Sequence, residues 1–540
     1  MTYHAYLFEA KSIQSYILAT NCLKEIVGAS ELIESLTGTI LNDVINRAGS
    51  GLEFSRQGGG AMHLFSTNRQ SIERIAVLWP LVVRQYAPDL EFVQAQGQGD
   101  SAYAAYQQAH QQLHNARNIP QARIPQAPPP AERSRRTGEP AVAWYKKTRK
   151  LDPNVDPQGE PVDAATLRKL DNKFWRGTAL CNRFAPTSSR TDWPLNLTPK
   201  AGEEDDERNF PFLAEDYNIA IIHTNGNDLG QLLIKLSAVA QQRREQYILL
   251  FRKFSEAITA ATQKAAQLAT EAVLKPHRTQ GVYPARPIVL GGDDLTILVR
   301  ADLALDFTRH FLMAFAEQSH VQLKTLKQQL KLPDLPDRFT ACAGIVYAKA
   351  SQPLHLLHEL AKNLCKHAKK CSKAQNKDNI PTSLSFHRVT TYFVDNYSDI
   401  LKHELTFGNL QHTLECYALE PEQGLPLLDD LLHLHTLFTT LNLSYSTTRE
   451  LLGIISTNVN QAPRRYQRWR EIMQERNSKQ LAQFDKLLLA LGITPASADL
   501  PYTGTQKSNL RRSPLGDVIM LTAAGDTCQP NGQPTVTIEN

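Results

Sequence analysis

Cysteine is scarce in this sequence: seven residues in 540, with no Cys-x-x-Cys pair. That argues against a disulfide-stapled fold and against a cysteine-rich zinc module, and it suits reduced thiols in the cytoplasm. Long apolar runs are missing too, and none approaches the roughly 18 residues of a membrane span. The opening Met-Thr-Tyr-His-Ala-Tyr-Leu-Phe-Glu has no basic region followed by an apolar stretch, so no signal peptide is expected. Charge of one sign is not in excess. A net +5 permits contact with nucleotides or RNA without requiring it. The sixteen histidines are scattered and none is followed by Asp. No Ser-His-Asp or Cys-His arrangement stands out, and Cys365 and Cys371, six apart, do not share a helix face.

What is present suits a globular protein of several domains, with 42% apolar and 21% charged residues. Residues 3–9 read as a strand and 11–47 as helix, broken near Asn21 and Gly28. A strand pair at 52–57 and 61–66 surrounds Gly58-Gly59-Gly60, followed by a helix over 70–86 and a strand over 90–95. The order βαββαβ is ferredoxin-like. It recurs: strand 217–223, helix 228–274, strand pair 286–300, helix 302–330, strand 338–347, helix 353–371 and a further strand near 383–389. The fold class expected is therefore α+β, with two ferredoxin-like palm domains, a helical insertion and a C-terminal helical domain. The boundaries expected are 1–97, 98–214, 215–395, 396–495 and a mobile tail at 496–540.

The insertion runs from a Gln/Ala-rich segment through Pro128-Pro129-Pro130 and a basic stretch, Arg133 to Lys150, to the acidic run Glu203 to Glu207. A small helical subdomain is expected near 161–185. After 395 the pattern is helical to about 492, with two helices divided near Pro463. Arg464, Arg465, Arg468 and Arg470 give one basic face there, more in keeping with a solvated helix than with an RNA site. One strand is expected in the tail, at 517–522.

Chemistry concentrates at Gly291-Gly292-Asp293-Asp294, between two β-branched runs. The glycines permit a tight hairpin, and its tip carries adjacent carboxylates. Two carboxylates about 5 Å apart repel by roughly 3 kcal/mol at an effective dielectric near 20. A divalent cation removes that penalty, and Mg²⁺ is held by one or two carboxylates plus substrate phosphates. The first copy has Ala61-Met62 where the second has these acids, so metal is expected in the second only. The strand end Asn225-Gly226-Asn227 lies beside such a hairpin in a palm site and should add a ligand, Asn225. Asp228 fits a helix N-cap. In the basic cluster Lys362, Lys366, Lys369, Lys370, Lys373 and Lys377, Lys369 and Lys373 are the expected triphosphate contacts.

Several segments together resemble the large polymerase-like subunit of type III CRISPR effector complexes, whose two palm domains are related to GGDEF cyclases. They are Phe8-Glu9 with Ile13-Gln14-Ser15-Tyr16-Ile17, the segment Leu23-Lys24-Glu25-Ile26-Val27-Gly28-Ala29-Ser30, the hairpin Gly58-Gly59-Gly60, and Gly291-Gly292-Asp293-Asp294 followed by Ala343-Gly344-Ile345-Val346. The likeness covers about 1–95 and 215–395. It implies that ATP is joined, with Mg²⁺ or Mn²⁺, into cyclic oligoadenylate messengers when foreign RNA is sensed. By the resemblance Asp293 and Asp294 hold metal and help activate the attacking hydroxyl. Gly291 and Gly292 let the nucleotide approach, as Gly226 and Asn227 would beside Asn225. Gly28, Ala29, Ser30 and Gly58 to Gly60, with Gly59 at the centre, lie near an acceptor ATP. Guide RNA and other effector subunits are the implied partners; the residue spacings themselves lead us to expect no membrane span and no zinc. The departures are Asn225 and Asn227 where the family usually has acids, the absence of a His-Asp nuclease motif, and a central insertion without metal-ligand spacing. A weakened scaffold that binds nucleotide or RNA, and a stand-alone GGDEF-like cyclase, remain open alternatives.

Overall fold

The computed structural model describes residues 2–119, 132–145, 159–197, 208–213, 216–333, 335–377, 379–390, 396–422, 424–440, 445–458, 460–495, 500–503 and 510–530. The proline triplet and the Glu203–Glu207 run lie outside them. The first palm comprises β1 (Tyr3–Ala10), α1 (Ile13–Ile17), α2 (Leu23–Thr37), α3 (Thr39–Ala48), β2 (Glu53–Gly58), β3 (Ala61–Ser66), α4 (Arg69–Tyr86) and β4 (Phe92–Gly99). Its sheet has the order β2-β3-β1-β4, antiparallel throughout. Alternation along β1 sends Tyr6 and Phe8 to one face, under Trp79 of α4, and Ala5 and Leu7 to the other. The long helix expected at 11–47 is three helices. The break near Asn21 is present. The second break falls at Gly38, whereas Gly28 lies inside α2.

The next elements are α5 (Ala102–Arg117), β5 (Ala143–Tyr145), β6 (Glu160–Val162), α6 (Ala164–Lys169), α7 (Asn172–Trp175) and α8 (Ala179–Phe184). The boundary expected at 97 cuts through β4. Moreover α5 belongs with the palm, because Gly97 and Gly99 let its backbone lie directly on the strand. The three short helices are the subdomain expected near 161–185.

The second palm comprises β7 (Asn218–Gly226), α9 (Leu229–Gln242), α10 (Tyr247–Ala269), β8 (Ala285–Gly291), β9 (Asp294–Arg300), α11 (Ala304–Leu330), β10 (Ala341–Lys349), α12 (Leu354–Gln375) and β11 (Ser383–Arg388). Its order β8-β9-β7-β10 repeats that of the first sheet, and β11 joins parallel to β10. Helix α10 ties the palms together. Tyr247 sits edge-on to Phe65 of the first sheet at 5.6 Å, and Arg252 donates to the Phe54 carbonyl at 2.7 Å.

The rest comprises α13 (Tyr397–His403), β12 (Thr406–Phe407), β13 (Leu410–Gln411), β14 (Tyr417–Ala418), α14 (Leu428–Thr440), α15 (Tyr445–Thr457), α16 (Ala462–Arg476), α17 (Ser478–Ala490), β15 (Arg511–Arg512) and α18 (Leu515–Ala524). Three short strands therefore interrupt the stretch expected to be all helical, and 447–490 spans three helices. The Arg face of α16 is largely spent in ion pairs, Arg470 with Asp485, Arg465 with Glu450 and Arg468 with Glu471. The strand expected at 517–522 is helix α18. Its apolar residues are buried, and Asp517 accepts from the Leu414 backbone at 2.9 Å, docking the helix on the second palm's flank. No helix among the described residues is long and apolar enough to cross a membrane.

Candidate functional site at the facing hairpins

The two glycine hairpins point at each other. A Cβ built on Gly291 would stand 3.3 Å from the Gly59 Cα, so a side chain there would press against the first palm's backbone. Between and beside the tips lies a cleft of about 820 Å³, lined by Gly58 to Gly60, Ser30, Gly291, Gly292, Asp293 and Asp294. Arg56, Arg183 and Lys362 also reach it, a basic wall suited to phosphates. The acid-bearing hairpin is held from behind. Thr262 of α10 hydrogen-bonds the Gly292 carbonyl at 2.6 Å. Arg183 of α8 donates to the Leu290 carbonyl at 2.5 Å and pairs with Glu34 of α2 at 3.1 Å.

At the tip Gly292 has φ +59° and Asp293 completes the two-residue turn, with Gly291 paired to Asp294. A positive φ at the first central residue alone is the type II′ pattern, which leaves the second position open to a side chain. Both acids are half-buried at the cleft wall. Burial, and then the charge of Asp294, pushes Asp293 up to about 6. Burial also raises Asp294, opposed by its hydrogen bond from Asn225 and by the charges of Lys369 and Lys362. The pair is thus short of positive charge.

Asn225, at the end of β7, donates its amide nitrogen to Asp294 at 2.5 Å and to Asp293 at 3.3 Å. Its oxygen accepts from Lys369 at 2.8 Å. Lys369 also donates to the Gly226 carbonyl at 2.6 Å, and the Gly226 N–H donates to Asp293 at 3.1 Å. The opposite amide orientation would set oxygen against carboxylates and NH₂ against an ammonium, so this one is chemically determined. Asn225 therefore meets the acids as a donor rather than in the ligand role expected of it.

The other expected residues divide. Ser30 and Gly59 line the cleft. Gly28 does not: its Cβ position is filled by the Lys169 carbonyl, 1.8 Å away, so it allows α2 to pack on α6. Asn227 is buried and turned from the acids, bonding Thr340 at 3.0 Å. Lys373 is half-exposed and faces Asp228 at 3.9 Å. Asp228 occupies the N-cap position of α9 in a left-handed conformation and makes no side-chain cap bond. Lys362, Arg56 and Arg183 were not singled out from the sequence. Lys362 stands in the same basic cluster as Lys369, but nothing local marks the two arginines.

The site is thus a double palm with paired acids at one of two opposed glycine hairpins. Residues 218–380 match the family model described as Cas10/Cmr2, second palm domain. No curated protein matches its sequence. Among solved structures it resembles a Csm1-Csm4 cassette in complex with cA3, at 11% identity and TM-score 0.47, over 97% of this chain and 70% of that one. The apo Csm1-Csm4 cassette gives 12% and 0.42, over 89% and 65%. The cassette in complex with AMPPNP gives 12% and 0.37, over 68% and 53%. The chain thus spans between 53% and 70% of the length of these relatives.

Proposed function

We propose that this chain is the large subunit of a type III CRISPR effector and joins ATP into cyclic oligoadenylates at the cleft between its palms. The observation that carries the reading is the opposition of an acid-bearing hairpin to an all-glycine hairpin across a basic cleft. The second palm would hold the donor triphosphate over Asp293 and Asp294. The bare backbone of Gly58 to Gly60, with Ser30, would receive the acceptor.

The acids fit a divalent cation. They are adjacent, half-buried, and held above the ordinary carboxylate range by desolvation, with mutual repulsion adding to it at Asp293. Asp293 and Asp294 would hold Mg²⁺ or Mn²⁺, which when bound supplies charge neutralisation for phosphoryl transfer. The chain's own residues do the positioning. Lys369 fixes the end of β7 beside the hairpin. Thr262 and Arg183 hold the hairpin against α10 and α8, and Arg56, Arg183 and Lys362 face the phosphates. Two charges against up to four from a metal pair leave the balance to the triphosphate, so a single nucleotide-borne cation suffices.

The test is incubation of the purified chain, alone and with partner subunits and target RNA, with labelled ATP and Mg²⁺ or Mn²⁺. An oligoadenylate product is expected. The double change Asp293→Ala with Asp294→Ala should lower its rate on the order of 10³-fold. One observation favours a second reading, a nucleotide-binding scaffold: the amide of Asn225 already satisfies both acids. ATP bound without product under every condition would leave that reading and remove the first.

A further inference from the structure

Behind the site, on the other face of α12, three ligand-type side chains converge. His367 and Cys371 are one helical turn apart, and Glu415 comes from the loop before β14. Their ligand atoms lie within 4.8 Å of one another. The same nitrogen, His367 Nε2, is 3.4 Å from Cys371 Sγ and 2.7 Å from Glu415 Oε2. In a relay of the protease type, thiol and carboxylate would take opposite ring nitrogens. Here both face one point, which is how ligands surround a shared ion.

Glu415 is built for that point. It is buried and its backbone has φ +71°, a left-handed conformation costing an L side chain roughly 1–2 kcal/mol. Its other oxygen is occupied from behind, by Arg512 at 2.7 Å and Gln411 at 3.0 Å. An outer shell of this kind orients a ligating carboxylate and leaves one oxygen forward. We propose that His367, Cys371 and Glu415 hold a Zn²⁺ ion, with water in its fourth position, that pins α12 to the 410–418 segment. Tetrahedral zinc with bonds of about 2.0–2.3 Å sets ligand atoms roughly 3.3–3.6 Å apart, so the N–S separation already fits and the N–O separation opens by about half an ångström. A thiolate and a carboxylate neutralise the dication, and the proton shared on Nε2 leaves for solvent. Lys369 lies between His367 and Cys371 in sequence and projects to the opposite side of the helix, toward Asn225 and the Gly226 carbonyl. The site therefore steadies the helix that carries the lysine.

The experiment uses the full chain purified without added chelator. One equivalent of zinc per chain is expected by elemental analysis. Stripping it should lower the melting temperature, and Zn²⁺ should restore it. Co²⁺ added to the stripped protein should give a thiolate-to-cobalt band in the near ultraviolet. Cys371→Ser should abolish the band, and His367→Ala should weaken Co²⁺ binding at least tenfold. Cys365→Ser, whose thiol donates instead to the Cys342 carbonyl, should keep it. No cobalt band and no zinc-dependent melting shift in the unaltered chain would overturn the site, whatever the variants do. So would a band that survives Cys371→Ser.

Discussion

The two hairpins share a register and differ in their turns. Gly58 pairs with Ala61 as Gly291 pairs with Asp294, so Gly60 and Ala61 stand where the second palm has Asp293 and Asp294. That is one residue earlier than Ala61-Met62, the counterpart expected from sequence. In the first palm both central residues, Gly59 and Gly60, have positive φ, a type I′ turn. In the second only Gly292 does. A type I′ turn favours Asn, Asp or Gly at its first centre and glycine at its second, whereas II′ constrains only the first. The choice of turn thus decides which palm has an unstrained place for an acid. The strand beside each hairpin is also exchanged. Continuing the registers, Glu9 of β1 occupies the place of Asn225 of β7. The acid-free hairpin has an acidic neighbour, and the acidic hairpin a neutral one.

The strongest attempt to break this contrast is to move the acids across. Gly60→Asp with Ala61→Asp should not create a second metal site. A Cβ at Gly60 would lie 2.0 Å from Ile13 Cδ1, at φ +73°. Overpacking and the left-handed backbone together should cost about 3 kcal/mol or more. The carboxylate introduced in place of Ala61 would also stand opposite Glu9. Urea unfolding measures the loss, and an unchanged midpoint would show that turn geometry does not separate the palms.

Next is the strand-end exchange. Asn225→Asp replaces a donor to both acids with a third carboxylate. Without divalent cation it should destabilise by roughly 2–3 kcal/mol, the scale of one carboxylate repulsion at close range. With Mg²⁺ the deficit should shrink, and calorimetry should show tighter metal binding than in the unaltered chain. Equal destabilisation with and without Mg²⁺ would mean that the acids do not gather metal.

The same register position gives a smaller, pH-dependent contrast. Leu7 opposite His63 in the first palm becomes His223 opposite Thr296 in the second. His223 finds the Thr296 hydroxyl at 3.1 Å, while His63 Nε2 has no hydrogen-bond partner among the described residues. Burial holds His63 down to about 3 and His223 down to about 4, with nearby positive charges adding. A histidine depressed in the folded state binds its proton more readily when unfolded. Its stabilising contribution is complete above about pH 6.5 and is lost as pH falls toward the folded value. At pH 5 the loss is about 2 kcal/mol per histidine. His63→Leu should flatten the stability profile between pH 6.5 and 4. A slope unchanged by that substitution would place the acid sensitivity elsewhere.

Much of this comparison could be read in the chain. Strand periodicity placed both βαββαβ units, and glycine with aspartate placed both hairpins, because these signals are local. The misreadings share a cause. Gly28 makes way for the Lys169 carbonyl and Asn227 bonds Thr340, partners that are remote in sequence. The apolar, β-branched run at 517–522 reads as a strand until α18 is docked through Asp517. His367 and Cys371 showed the i, i+4 spacing of a shared helix face, but Glu415 joins them only through the fold. Of six clustered lysines, only the packing of α12 selects Lys369.

The smallest effect tests whether the first palm's own acid is structural. Arg117 of α5 donates to Glu9 from Nε at 3.0 Å and from its Nη2, with the arginine side chain 41% exposed. An ion pair so open to solvent contributes about 0–1 kcal/mol. Glu9→Gln should therefore shift the unfolding midpoint slightly, more at low salt than at high, and leave the nucleotide product unaltered. A product loss approaching that of the Asp293 and Asp294 variant would put Glu9 into the chemistry. The first palm would then contribute a carboxylate from its strand where the second contributes them from its turn.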